Sequence, residues 1–369
     1  MRIAYTVMGY GRGHAMRTAA VLPGLERDHE VRVFAGRDAH DMLARDHDSV
    51  EIPVIGYQYG SHGRISSRRT LMRNAPLVAD LMAAGPRTRA VWQQMADFAP
   101  DIVISDSETY GHRFARHHGI PRIGFDHVGI MAYCHCDFAP GDALAGIRDG
   151  LGYRAFIGDP DRVIVSSFYP ARPRRDTVQL VGPILREPVR NAAPYRGNRV
   201  LVYLNKGAHQ YTAAVDTALR ACGENVIIYG TTHRGTSANL EFKAPSQQGF
   251  IDDLAAAKAV VSTAGNQLLS EAIYLGKPVL ALPEDAVEQR LNAQAVRTMG
   301  VGTSAALHKL SLSCLGEFLE NGDAHAAATA AHRSDGLPAA EAALRRHIHA
   351  LSRTPRPAPG ALARLTGAY

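Results

Sequence analysis

The chain alternates short apolar runs with segments of helical periodicity, and it does so twice. In the first part, the apolar runs predict strands at 2–8, 30–35, 50–55, 101–106, 121–126, 161–167 and 178–182. The stretches between them predict helices at 14–26, 75–98 (broken near Gly85-Pro86) and 107–118. Strands that read as continuous apolar runs are buried on both faces, and their alternation with helices predicts a parallel sheet.

A second alternation follows a segment rich in proline, glycine and asparagine. Its apolar runs predict strands at 199–205, 224–230, 259–265 and 278–283, with helices at 214–223, 266–275 and 287–299. An amphipathic helix is predicted after them, with a stripe formed by Leu344, Ile348 and Leu351.

We therefore predict an α/β fold of two Rossmann-like, doubly wound parallel-sheet domains facing a cleft. The predicted boundaries are 1–182 for the first domain, 183–198 for a linker, 199–337 for the second domain, 338–353 for the final helix and 354–369 for a proline-rich tail. Ligands of such sheets lie outside the carboxyl ends of the strands, so functional residues are expected there.

Length and composition limit the number of domains and the kinds of partner. At 369 residues the chain exceeds the roughly 250–300 residues at which single cores stop growing. The net charge of +6 suits an anionic partner such as a nucleotide, nucleic acid or membrane surface, although richness in arginine and alanine also reflects genome composition. A single tryptophan and 7% aromatic residues argue against an aromatic-lined nucleic-acid module.

The sequence offers no sign of export or of a membrane span. It has no run of eighteen apolar residues, and its first residues lack the features of a signal peptide. Four cysteines in a chain of this length do not form a disulfide framework. A reducing, cytoplasmic location is the expectation.

The first strand runs into a glycine loop that carries a histidine. Gly9, Gly11 and Gly13 permit tight turns and close backbone approach to a ligand. A nicotinamide-dependent enzyme is a weaker interpretation, because the third glycine comes one place early and no acidic residue ends the second strand. His14 follows at a helix N-terminus, which disfavours the protonated imidazole and suits a general base. The alternative is a histidine that caps the helix or packs the loop.

Asp106 ends the strand at 101–106. Because the carboxyl ends of parallel strands meet at one edge of a sheet, Asp106 could bond the far nitrogen of His14 and orient its ring. The alternative role is an N-cap for the following helix, and the two roles are compatible.

The densest signal lies in the second half, at 260–283 and 288–293. There a strand, a glycine turn and a helix follow one another, and Gly265 lets the helix N-terminus approach a diphosphate. Glu271, six residues later, is expected on the cleft-facing side of that helix, where a carboxylate can accept ribose hydroxyls. Glu288 and Gln289 follow the next strand and are placed for sugar hydroxyls.

These residues resemble the donor-binding signature of GT-B glycosyltransferases. The related groups are the glycosyltransferase-28 family, which includes the peptidoglycan GlcNAc transferase, and the natural-product and plant UDP-sugar transferases. The family spacing matches Gly265 with Glu271, and Glu288-Gln289 with Asn292-Ala293. The loop around His14 also resembles a little-characterised microbial branch of that superfamily.

The resemblance implies an inverting, metal-independent hexosyl- or N-acetylhexosaminyltransferase that uses a nucleotide sugar, UDP-linked first of all. His14 would be the catalytic base and Asp106 its partner. The donor would contact Gly265, Glu271, Glu288 and Gln289. Many family members have a phosphate-binding histidine two residues before the glycine, and Thr263 takes that place here. Leu268 replaces the family's small hydroxyl residue, so further phosphate contacts are expected from Asn205, Lys206, Gly207, Asn266 and Gln267.

The acceptor site is less defined. The candidate residues are Gly11, Gly13, Arg64, Arg68 and His127. The two arginines belong to a basic segment at 60–73. This segment could bind an anionic acceptor or lipid headgroups, or it could be a solvated loop. The acceptor could be a natural product, a saccharide or a lipid. Membrane association has little support beyond this segment. Cys134, Cys136 and nearby histidines could suggest zinc, but a second Cys/His pair is missing, so we expect neither metal nor cofactor.

Three other functions stay open on the sequence. A nucleotide-sugar hydrolase or epimerase would use the same fold with His14 acting on water or moving a proton. A non-catalytic nucleotide-sugar-binding protein would keep the donor site alone. A nucleic-acid binder has least support, because the sequence contains no recognised nucleic-acid-binding module.

Overall fold

A computed structural model of the chain describes residues 1–9, 12–56 and 67–353. Gly11, Arg64 and the tail at 354–369, all part of the predictions above, lie outside the described residues.

The first half is built around a parallel sheet. Its strands are β1 (Arg2–Val7), β2 (Glu30–Ala35), β3 (Ser49–Glu51), β4 (Ile102–Asp106), β5 (Arg122–Asp126), β6 (Cys134–His135), β7 (Arg162–Ser166), β8 (Arg172–Pro173) and β9 (Val178–Val181). Its helices are α1 (Arg12–Glu26), α2 (Arg37–Leu43), α3 (Ser67–Met82), α4 (Pro86–Phe98), α5 (Thr109–His118), α6 (Ile130–Tyr133) and α7 (Ala143–Ile157). The described strands pair in the order β3-β2-β1-β4-β5-β7-β9, while β6 and β8 form a separate two-stranded ribbon.

The second half repeats this plan. A short helix, α8 (Glu187–Arg190), lies between the halves. The strands are β10 (Arg199–Tyr203), β11 (Asn225–Tyr229), β12 (Gly235–Ser237), β13 (Leu240–Phe242), β14 (Ala259–Ser262), β15 (Val279–Ala281) and β16 (Gly302–Ser304). The helices are α9 (Gly207–Gln210), α10 (Ala213–Ala221), α11 (Gln247–Ala256), α12 (Asn266–Tyr274), α13 (Val287–Thr298), α14 (Leu312–Glu320), α15 (Gly322–Thr329) and α16 (Leu337–Ser352). The sheet order is β12-β13-β11-β10-β14-β15-β16, parallel except for the β12–β13 pair.

The prediction of two Rossmann-like parallel sheets is confirmed. In each sheet the strand order changes direction next to the first strand, which is β1 in the first half and β10 in the second. The strands that follow in sequence are first added on one side of it and then on the other. The crevice at such a switch point is where doubly wound sheets bind their ligands. In the first sheet this brings the end of β1, just before His14, next to the end of β4, where Val7 pairs with Asp106.

The two halves share buried apolar contacts. One core cluster includes Ile130 and Val163 of the first half together with Leu269 and Ala293 of the second. The last helix, α16, packs against α1 and β7, and its Leu344, Ile348 and Leu351 are buried in the core of the first half. Among the described residues no helix is long and apolar enough to cross a membrane.

Helix α7 has no counterpart in the sequence prediction, and its glycines explain why. A Cβ on Gly150 would lie 2.6 Å from the carbonyl oxygen of Met131, so glycine here permits close packing against α6. The outer face of the same helix exposes Leu144, Ile147 and Leu151. Because glycines lie on the buried face and large apolar residues on the exposed face, the helix lacks the amphipathic pattern by which a helix is recognised.

His112 on α5 is a buried titratable group with a consequence for stability. Its ring is fully buried, and neither ring nitrogen has a hydrogen-bond partner among the described residues. Burial, followed by the nearby charge of Arg122, lowers its pKa well below the ordinary value. The folded protein therefore keeps His112 neutral, whereas the unfolded chain takes up a proton as the pH falls below about 6.5.

We expect this histidine to make the fold acid-sensitive. Because the unfolded state binds the extra proton, the free energy of unfolding should fall by about 1.4 kcal/mol more in the wild type than in His112→Leu between pH 7.5 and 5.5. Urea-unfolding curves of both proteins at the two pH values measure this difference. An equal pH dependence in the two proteins would show that His112 is hydrated and charged in the fold.

Candidate functional site

The first element of the site is a cluster of three residues at the edge of the first sheet, in which Asp106 and Arg17 are buried and His14 is partly exposed. Nδ1 of His14, on the first turn of α1, lies 2.6 Å from Oδ1 of Asp106 at the end of β4. Arg17, one turn further along α1, donates from Nε to Oδ2 at 2.8 Å and from Nη2 to Oδ1 at 2.6 Å. With Nδ1–H donating to the carboxylate, the Nε2 lone pair of His14 is the basic position of the ring.

The charge state of Asp106 follows from its neighbours. Burial alone would raise its pKa, but the charge of Arg17 and the contact with His14 outweigh burial and lower it. Asp106 is therefore an ionised, fully buried carboxylate. Sequence reasoning missed Arg17, although its position three residues after His14 places both side chains on one face of a helix.

The second element is the N-terminus of α12. A Cβ built on Gly265 would meet no atom within 4 Å, so open space lies in front of this residue. The first backbone bond of the helix runs from Leu269 N–H to the Gly265 carbonyl, which leaves the preceding N–H groups without an intrahelical partner. Asn266 is buried, and its Oδ1 has no partner among the described residues. Such a helix end attracts an anion.

Glu271, on the same helix, does not have a free carboxylate. Arg186 of the interdomain segment donates to both of its oxygens, from Nε at 2.7 Å and from Nη2 at 2.6 Å. Gln267 donates to the same carboxylate at 2.8 Å and to the carbonyl of Ile184 at 3.1 Å. The Glu271 side chain is 1% exposed, in place of the open, cleft-facing position expected from the sequence. A ribose contact by Glu271 stays a prediction, and it requires the pair with Arg186 to open.

The loops after β10 and β15 are joined by hydrogen bonds. Gln210 donates to Asn205 at 2.8 Å and to Glu284 at 2.5 Å, and it accepts from the backbone of Lys206. Gln289 accepts from the Glu284 backbone N–H at 2.9 Å. The predicted donor residues Asn205, Lys206 and Gln289 are thus brought together, with Glu284 as a connector that the sequence did not reveal.

Gly207 allows two of these loops to approach each other. A Cβ at this position would lie 2.0 Å from the carbonyl oxygen of Gly230. Any larger residue would therefore push the loops after β10 and β11 apart. Its role in the structure is close backbone packing.

A third group links the two halves. His127, which follows β5, is buried, and its ring nitrogens lie 2.8 Å from the Ser166 carbonyl and 3.0 Å from Oδ1 of Asn292 on α13. Asn292 in turn donates to Glu288 at 2.6 Å and to the Ala264 carbonyl at 2.9 Å. These are the hydrogen-bond partners of His127 in the structure, and an acceptor contact by this residue stays a prediction.

Burial shifts the pKa values of this group. It lowers the pKa of His127 to about 4, so the imidazole is neutral near pH 7. Enclosure by protein raises the pKa of Glu288 to about 7, although the hydrogen bond from Asn292 and the charges of His14 and Arg17 oppose the rise. Glu288 is 22% exposed, so its carboxyl can both donate to and accept from a sugar hydroxyl.

The two helix N-termini meet across the boundary between the halves. A Cβ built on Gly13 would lie 3.6 Å from the Cβ of Gln267, so the start of α1 approaches the first turn of α12. The helix turn that carries His14 in the first half and the open helix N-terminus of the second half are therefore neighbours.

A cavity of about 920 Å³ opens at the carboxyl edge of the second sheet. The loops after β10, β14, β15 and β16 line it, together with Ala139 and Asp142 of the first half. Its wall includes Thr263 and Gln210, and its volume falls within the range of small-molecule sites.

The remaining predicted residues are less informative. Arg68 is exposed on α3, and Gly11 and Arg64 lie outside the described residues. All four cysteines are free thiols, and burial raises the pKa values of Cys134 and Cys136 to about 12 and about 11. Within the described part of the chain, no cluster of three or more His, Cys, Asp or Glu residues could hold a metal ion.

Comparison with known proteins identifies the family to which this architecture belongs. A family model described as glycosyl transferase family 1 matches residues 1–322. An uncharacterized glycosyltransferase of Methanosarcina mazei is 22% identical over 352 residues, covering 87% of this chain and 90% of that protein.

Two solved structures share the fold. The spinosyn rhamnosyltransferase SpnG superposes with a TM-score of 0.66 at 16% identity, covering 95% of this chain and 100% of SpnG. The calicheamicin glycosyltransferase CalG4 gives a TM-score of 0.65 at 17% identity, covering 95% of this chain and 98% of CalG4. These similarities confirm the GT-B architecture, and the match over most of the sequence shows that the chain belongs to glycosyl transferase family 1.

Proposed function

We propose that this glycosyltransferase works by inversion and without a metal, moving a hexosyl or N-acetylhexosaminyl group from a nucleoside-diphosphate sugar to an acceptor hydroxyl. The observation that carries the proposal is the approach of the α1 N-terminus, with His14 bonded to Asp106, to the open N-terminus of α12 at Gly265. A base and an anion site on opposite sides of one boundary suit a direct displacement between acceptor and donor.

The proposed step is a single displacement. Nε2 of His14 takes the acceptor's hydroxyl proton while the acceptor oxygen bonds the anomeric carbon. The bond from that carbon to the diphosphate oxygen breaks, and the leaving diphosphate keeps the electron pair. Asp106 holds the ring and balances the charge of the imidazolium that forms.

The donor contacts follow from the second half. The N–H groups at the start of α12 face the diphosphate and offset its charge, which is the ground for proposing that no metal is required. Asn266 Oδ1, which has no partner among the described residues, would accept a hydrogen bond from a hydroxyl of the nucleotide sugar. Glu288 and Gln289 contact the sugar, and Glu271 takes the ribose hydroxyls once Arg186 releases it. UDP is the proposed nucleotide.

The acceptor is proposed to be a small hydroxylated natural product. The support is the fold shared with a spinosyn rhamnosyltransferase and a calicheamicin glycosyltransferase. The acceptor would enter beside His14 in the first half.

The anion site can be tested by filling the space in front of Gly265. Its backbone is extended (φ −73°, ψ 132°), so Gly265→Leu introduces a side chain without conformational strain. By blocking the helix N-terminus, it should raise the Kd for the nucleotide sugar roughly 10- to 100-fold, the loss expected for charge-assisted hydrogen bonds. Isothermal titration with UDP- and dTDP-sugars measures the change. Gly316→Leu on α14, where a Cβ also meets no atom within 4 Å, is the matched control.

Turnover assays then separate the alternative functions. Product formation should require an acceptor, persist in EDTA and yield the inverted anomer by NMR. Sugar release at the full rate without any acceptor would indicate a hydrolase. Donor binding without turnover across the panel would indicate a binding protein, and unchanged affinity in Gly265→Leu would place the diphosphate elsewhere.

A further inference from the structure

Arg17 is a buried, charged residue of the site that has no role in the reaction step proposed above. It is 3% exposed, and its guanidinium donates one hydrogen bond to each oxygen of Asp106, a two-pronged contact called the fork below. Nη2 also lies 3.1 Å from Nδ1 of His14. A buried arginine is costly to desolvate, so its direct contact with the pair that carries the reaction calls for a reason beyond stability.

The geometry shows what this fork does to Asp106. Oδ1 faces both Arg17 and His14, while Oδ2 faces Arg17. The two bonds from one planar group fix the plane of the carboxylate, and that plane fixes the imidazole ring. Since α1 carries both His14 and Arg17, the base and its clamp move together as one rigid unit.

We propose that Arg17 is a positioning residue for sugar transfer, which locks Asp106 against His14 and cancels the carboxylate charge before the proton arrives. This role rests on the proposed function of His14 as the base. The cluster is then neutral before reaction and carries one positive charge after His14 takes the acceptor proton. That charge develops as the diphosphate leaves toward α12, so the two developing charges attract each other.

The other titratable groups around the cluster come from several elements. Four of them interact electrostatically with Arg17: Tyr5 on β1, Asp126 on β5, His127 just after β5, and Glu288 on α13. Asp126 is buried; burial and then the charge of Asp106 raise its pKa, and it accepts hydrogen bonds from Tyr153 and the Gly129 backbone. Among the described residues, Arg17 is therefore the permanent cation paired with Asp106.

The test compares Arg17→Lys and Arg17→Met with the wild type. Arg17→Met should lower kcat about 10- to 100-fold with the donor KM unchanged, because the base loses its orientation. An unclamped, fully charged Asp106 also favours the imidazolium, so the acid-side midpoint of the kcat/KM pH profile should move up by about one pH unit. Arg17→Lys keeps the charge and should retain the wild-type midpoint with an intermediate kcat.

Stability provides the control. If Arg17→Met does not fold, the double variant Arg17→Met/Asp106→Asn removes the uncompensated charge, and it should fold yet stay as slow as Asp106→Asn alone. A folded Arg17→Met with wild-type kcat and pH profile, or a double variant with wild-type kcat, would overturn the proposal. If His14→Gln is also fully active, the proposed function fails rather than the role of Arg17.

Discussion

His14→Gln should lower kcat by about 10²- to 10⁴-fold, the usual contribution of a general base. Glutamine can keep a hydrogen bond to Asp106 but cannot take the acceptor's proton. The affinity for the nucleotide sugar should not change, because the proposed donor contacts lie in the second half. Steady-state kinetics with saturating donor and acceptor, together with titration of the donor alone, measure the two quantities.

The matched control is His135→Gln. His135 is exposed on the short strand β6 and has no part in the proposed reaction, so its replacement should leave kcat unchanged. A wild-type kcat in His14→Gln would remove the histidine from the reaction. A loss of donor affinity equal to the loss of rate would instead make it a binding residue.

The contact between His14 and Asp106 shows how far sequence reasoning reaches. Continuous apolar runs identified β1 and β4 as buried parallel strands, and parallel strands deliver their carboxyl ends to one edge. Two polar residues at those ends were therefore expected to meet, and their side chains lie 2.6 Å apart. The chain direction puts both strand ends at the same edge, and the strand order, with β1 beside β4, brings the two side chains into contact.

Arg17 and Arg186 show where the same reasoning fails. A pattern of apolar positions does not tell which long polar side chain turns inward to satisfy a buried carboxylate. Arg17 looks like a surface residue of α1, and Arg186 like part of an exposed linker, until the tertiary structure supplies Asp106 and Glu271. Such pairs join residues 85 or more positions apart, and local periodicity does not show which carboxylate each arginine meets.

The hydrogen-bond partners of His127 were also beyond the reach of sequence reasoning. The sequence made His127, just after the end of β5, a candidate for the acceptor site, and that role stays a prediction. Shared packing of the two halves buries that strand end, and α13 of the second half supplies Asn292 as its partner. Which strand ends stay open depends on how the domains meet, and the sequence pattern of either half does not contain that information.

Arg186→Met should be the most destabilising of the substitutions considered for the second half. Among the described residues, Gln267 is then the remaining side-chain donor to the buried Glu271 carboxylate, and breaking a buried pair in this way costs about 3–5 kcal/mol. Urea unfolding of Arg186→Met, Glu271→Gln and the double variant measures the coupling between the two residues. Arg199→Met breaks an exposed pair with Glu241 of similar length and should cost at most about 1 kcal/mol.

The same variants decide what Glu271 does for the donor. If its carboxylate takes the ribose hydroxyls, Glu271→Gln raises the Kd for the nucleoside diphosphate while Arg186→Met, which frees the carboxylate, does not. Equal Kd values in the folded variants would limit Glu271 to holding the interdomain segment on α12. A cost of Arg186→Met no greater than that of Arg199→Met would show that the buried pair is not formed in solution. The stability result and the affinity result are independent, because one reports on the pair and the other on the ligand that would have to open it.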